Sequence, residues 1–94
     1  MFIHIGKNVV IKEESIIAII DVKTVNKSKY TKQLIKIADE NGILRNAMDD
    51  EPKSYILAEV DKKDVLYISS ISSATLCRRI GFTSTLQTEG DLND

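Results

Sequence analysis

LYISSISSATLCRRIGF, residues Leu66 to Phe82, is the stretch that decides the fold. Leu66, Ile68 and Ser70 point to one side of an extended segment, and Tyr67, Ser69 and Ile71 to the other, which is the period-two pattern of a strand. Ser72 and Ser73 follow, and their hydroxyls suit the free N–H groups of a helix starting near Ala74. On that helix Leu76 and Ile80 share a face, which leaves Cys77, Arg78 and Arg79 on or beside the others, and Gly81 stops it.

Working outward, the preceding Asp61-Lys62-Lys63-Asp64 is a turn, and Lys53 to Val60 is a strand that pairs back antiparallel through it. Arg45 to Pro52 has no useful periodicity and is expected as an exposed loop or weak connecting strand. Ser28 is placed to cap a helix over about residues 29–41 with Leu34, Ile35 and Ala38 as its apolar stripe, ended by Asn41-Gly42. Ile16 to Asp21 is nearly continuous in apolar β-branched residues, so the pattern predicts a strand covered on both faces at the centre of the sheet. Phe2 to Ile5 and Val9 to Lys12 flank Gly6-Lys7-Asn8 as a tight hairpin. These elements give an α+β class: a small, mostly antiparallel sheet of about five strands, with one long and one short helix.

A chain of 94 residues is one domain with a small core, for which oligomerisation is a natural supplement. Residues 1–82 form the expected α+β domain, and residues 83–94 an acidic, flexible tail. With 43% hydrophobic and 29% charged residues, the composition is neither disordered nor membrane-embedded. The chain has no apolar run of spanning length and no signal-peptide layout, so a cytoplasmic location without membrane contact is expected. Its formal net charge is -1, but three of the 14 acidic residues, Glu89, Asp91 and Asp94, follow Phe82. Up to Phe82 the balance is 13 basic against 11 acidic, a mildly basic body.

The catalytic inventory is thin, and no enzyme activity, cofactor, metal or small-molecule substrate is expected. Cys77 is the only cysteine and is read as a small apolar filler. His4, the only histidine, lies in an apolar strand and is expected to be hydrogen-bonded and partly buried rather than a base. Asp49, Asp50 and Glu51 are consecutive and lack the spaced ligands of a calcium loop, so a solvated loop is expected. The basic residues carry more pattern. Lys23, Lys27, Lys29, Lys32 and Lys36 precede or occupy the first half of the long helix, with no acid between Asp21 and Asp39. Lysines at a helix start oppose its macrodipole, so they mark either an anion-facing patch or a solvated face. Arg78 and Arg79 suit either bidentate phosphate contact or the end of their own helix.

The opening FIHIGKNVVIKEESIIAIID and the closing VLYISSISSATLCRRIGF together resemble the Rem family of bacterial regulators of extracellular-matrix and biofilm genes, the RemB-like branch more than RemA. The similarity covers roughly residues 1 to 82. It implies a small α+β subunit, assembly into closed rings as in RemA-type members, and double-stranded DNA held on a basic outer rim to activate transcription. There is one departure. Where the RemA-like branch carries adjacent arginines before the penultimate strand, this chain has Asp49-Asp50-Glu51-Pro52-Lys53, and another basic position of that branch falls near Ser15. Two functions therefore stand: a DNA-associated homo-oligomeric regulator contacting DNA through Lys29, Lys32, Lys36, Lys53, Arg78 and Arg79, or an assembly module that has lost DNA binding.

Overall fold

A computed structural model describes residues 1–80 of the chain. Gly81 as helix stop and the acidic tail over 83–94 lie outside the described residues. The chain runs β1 (Phe2–Gly6), β2 (Val9–Lys12), a 3-10 turn (Glu13–Ser15), β3 (Ile16–Asp21), α1 (Val22–Lys27), α2 (Lys29–Glu40), β4 (Leu44–Ala47), β5 (Ser54–Val60), β6 (Lys63–Ser69) and α3 (Ser73–Ile80). The class is α+β as expected, with six strands in two sheets and three α-helices among the described residues.

The larger sheet has the order β3-β5-β6-β4, with β3–β5 and β5–β6 antiparallel and β4 parallel to β6. Its alternating faces feed two separate cores. Tyr55, Leu57, Leu66 and Ile68 pack with Val25, Ile35 and Ala38 beneath α1 and α2. Ile56, Ala58 and Tyr67 pack with Ile3, Ile5 and Ile11 of the β1–β2 hairpin and with Leu76 and Ile80 of α3. The result is three layers: helices α1 and α2, the sheet, then the hairpin with α3.

This arrangement corrects the placing of Ile16 to Asp21. β3 is an edge strand, none of its residues is fully buried, and Ile17 is 52% exposed. The tight β5–β6 hairpin takes the centre because its strands must be neighbours, and the return of the chain through α1 and α2 adds β4 on the far side of β6. The turn that joins β5 to β6 has Asp61 and Lys62 both at positive φ, 54° and 67°, the geometry that matches strand twist. β4 was expected only as a loop or weak strand because its four residues carry no periodic signal, and its parallel pairing with β6 holds it.

Helix ends are fixed by short polar side chains. Asp21 accepts from the Lys23 N–H at 2.8 Å and starts α1, a helix absent from the sequence expectation. The Ser28 hydroxyl accepts from the Thr31 N–H at 3.2 Å and starts α2. α2 closes with the Gly42 N–H on the Asp39 carbonyl and the Ile43 N–H on the Ala38 carbonyl, with Gly42 at φ 74°. Ser72 accepts from the Thr75 N–H at 3.2 Å to start α3.

Serines of the opening stretch also tie the layers together. Ser69 is fully buried; its hydroxyl donates to the Ile5 carbonyl at 2.6 Å and accepts from the Ile71 N–H at 2.9 Å. Ser54, also fully buried, donates to the Ile71 carbonyl, and Ser73 donates to the Asp21 carboxylate. Gly6 sits under this clip at φ 134°, so close to β4 that a Cβ there would lie 2.1 Å from the Ala47 carbonyl oxygen.

Candidate nucleic-acid interface

Lys23, Lys27, Lys29, Lys32 and Lys36 are all exposed in the layer of α1 and α2. Among the described residues none of the five forms an ion pair, the sole pair being the N-terminal amine with Glu14. Lys29, Lys32 and Lys36 follow one another at spacings of three and four, so they share one outward side of α2 over about 10 Å. No acidic residue stands in the first turn of α2, so its positive end is uncompensated and the positive potential there is reinforced.

Lys53 joins this group through the backbone. Its N–H donates to the Ser69 carbonyl at 2.8 Å, and its carbonyl accepts from the Val22 N–H at 3.1 Å. Lys53 is thus pinned beside the start of α1, next in space to the segment carrying Lys23, with its side chain exposed.

Arg78 and Arg79 are exposed on α3, in the opposite layer. The structure therefore separates two sets that sequence pattern alone would merge. Arg79 has an internal partner: its Nη1 donates to the His4 carbonyl at 2.9 Å and lies 3.4 Å from His4 Nδ1. His4 Nε2 is 2.7 Å from the Lys7 carbonyl, a bond in which the ring N–H donates. His4 is hydrogen-bonded, as expected, but exposed rather than partly buried, because it projects from the outer face of β1. Arg78 Nη2 donates to Thr75 Oγ1 at 3.2 Å.

The acidic loop is exposed, and Asp49 in it has a structural task. Its carboxylate accepts from the Lys7 N–H at 3.2 Å, and its own N–H donates to Ser70 Oγ at 3.1 Å. The loop is thereby fastened to the tip of the β1–β2 hairpin. Asp21, which accepts from the Lys23 N–H and the Ser73 hydroxyl and lies near the Lys23 charge, has its carboxyl held below the usual value. Cys77 is half-buried and free. Among the described residues no group of three or more His, Cys, Asp or Glu is arranged to hold a metal ion, and no helix is long and apolar enough to cross a membrane.

Fold and surface together define a three-layer α+β domain that presents an exposed lysine face on one side and a hairpin–helix face on the other. The chain belongs to the RemA-like family, extracellular matrix regulatory protein A-like, whose profile matches residues 2–80. The match is to the family as a whole and does not distinguish a RemB-like branch. No curated protein matches the chain.

Proposed function

We propose that this member of the family is a non-enzymatic, DNA-associated regulator of extracellular-matrix genes that acts as a homo-oligomer. The observation that carries the proposal is the face of α1 and α2, where five exposed lysines stand without a carboxylate partner among the described residues. Lys32 and Lys36 contact phosphates, and Lys53 extends the track beside α1. A few such contacts per protomer give weak binding that falls with salt through counterion release. Several copies on one duplex make the later contacts intramolecular and raise the affinity. Sequence preference comes chiefly from how readily the DNA bends, since lysines along a helix face read no base edges.

Arg78 and Arg79 are a layer away, and a straight duplex that lies along α2 does not reach them. Asp49, Asp50 and Glu51 repel phosphate and keep their part of the β4–β5 loop out of the contact, which leaves Lys53 as its one contributor. The test is a mobility shift with a long AT-rich duplex at about 50 mM salt. A shift that Lys32→Glu and Lys36→Glu together abolish supports the proposal. Absence of a shift for the unmodified protein rejects it and leaves the assembly-module function.

A further inference from the structure

Two apolar surfaces stand exposed among the described residues. On α2, Tyr30, Leu34 and Ile37 recur at helical spacing as one stripe, 86%, 39% and 47% exposed. In the opposite layer Phe2 and Val10, 65% and 54% exposed, border a groove of about 360 Å³ that Ile11, Val60 and Tyr67 also line. Contiguous exposed apolar surface of this kind, rimmed by polar residues, marks an interaction site.

Charge at the two surfaces is complementary. The stripe begins beside Lys29 and ends beside Glu40, an order that opposes the helix macrodipole and so brings α2 no stability of its own. The groove is lined by Glu59 and Asp61 and also by Lys12. None of these charges is in an ion pair among the described residues. The sheet stands between the two surfaces, so the stripe of one chain cannot enter its own groove.

We infer that the α2 stripe of one protomer docks in the hairpin groove of a second copy, with Tyr30 entering the groove, Lys29 toward Glu59 and Asp61, and Glu40 toward Lys12. The inference rests on the homo-oligomer reading given above and names its contact surfaces. Because the surfaces differ and lie on opposite layers, the contact is heterologous, and each copy still offers one free surface of each kind to the next. Assembly through such a repeated contact depends on concentration and on closure of the series of copies. Lys32 lies about 200° around the helix from Tyr30, so docking leaves it free for DNA.

The test uses the full chain with Cys77→Ala as background and a short bis-maleimide cross-linker. Tyr30→Cys and Val10→Cys are placed in separate chains, at exposed positions whose replacement spares the core. A cross-linked dimer that forms in the mixture and in neither chain alone is the expected result. Cross-linking of the Tyr30→Cys chain to itself means that α2 packs on α2 about a two-fold axis and overturns the inference. No cross-link in the mixture, while light scattering shows the unmodified protein assembled, overturns the inference and leaves the oligomer reading standing. A monomer at every concentration overturns both. As a second measurement, Lys29→Glu lowers the assembled mass and adding Asp61→Lys restores it; failure of the double variant to regain mass counts against the contact.

Discussion

Replacing Ser69 with alanine removes one hydroxyl and leaves two backbone groups without their partner. The Ile5 carbonyl loses a 2.6 Å bond and the Ile71 N–H a 2.9 Å bond, at a serine with no exposed surface. Ile5 is itself fully buried and sits where the β1–β2 register passes from His4↔Val10 to Gly6↔Val9, so its carbonyl has little chance of finding water. Each buried group left unmet costs about 1–3 kcal/mol, and the half-buried Ile71 side falls at the low end, for a sum of about 2–4 kcal/mol. A domain of this size has a total stability of roughly 5–14 kcal/mol, so the loss is a large share. Urea unfolding followed by far-UV circular dichroism reads it: with a slope of about 1 kcal/mol per molar, the midpoint falls by about 2 M or more. Ser70→Ala is the internal control. It deletes only an exposed bond to the Asp49 N–H and costs less than about 1 kcal/mol. If the two alanine variants unfold at the same urea concentration, Ser69 is not the clip between β6 and the hairpin.

Gly6→Ala is expected to destabilise by more than about 2 kcal/mol, since the new Cβ would meet the Ala47 carbonyl at 2.1 Å in a backbone conformation that favours glycine; a thermal midpoint equal to the unmodified protein's would refute the close approach. Asp21→Asn keeps an N-cap but removes a charge whose carboxyl is held below 3.8 in the fold. The stability owed to that charge is fully present above the unfolded value and is lost as pH falls through the folded one. The gap between the unmodified protein and Asp21→Asn should therefore be constant from neutral pH down to about 5 and close below about 4; urea midpoints with a gap unchanged at pH 2 would show that the contacts of Asp21 do not favour its charged form. Asp21→Ala loses the cap as well and should cost about 0.5–2 kcal/mol more than the asparagine.

The local grammar of this fold was largely legible in the sequence. Alternation across Leu66 to Ser69, the Ser28 and Ser72 caps, the Gly42 stop and the two hairpins all depend on neighbours a few residues apart, and each stands where pattern put it. What pattern missed depends on partners distant in sequence. Ile16 to Asp21 has the composition of a central strand, yet β3 is an edge because the β5–β6 hairpin occupies the middle, a fact of topology rather than of its own residues. α1 escaped notice because six residues give almost two turns and no apolar stripe, although Asp21 before Val22 was a visible N-cap signal. The candidate site was half legible. Charge spacing picked out the α2 lysines, but only the layered packing puts Arg78 and Arg79 on the other side of the sheet and Lys53 beside α1. Asp49 looked like part of a solvated acidic run, and its bond to the Lys7 N–H, across 42 positions, has no local signature.

The salt dependence of binding to a fluorescently labelled AT-rich duplex tests the central claim most directly, compared between the unmodified protein and Lys32→Glu/Lys36→Glu. Each phosphate contact contributes about 0.9 to the slope of log affinity against log salt, so losing two contacts should flatten it by about 2 for each bound protomer. Arg78→Glu/Arg79→Glu, on the opposite layer, should leave the slope nearly unchanged. Equal slopes for the lysine variant and the unmodified protein, or a slope that only the arginine variant alters, would contradict the assignment of DNA contact to the α1–α2 face.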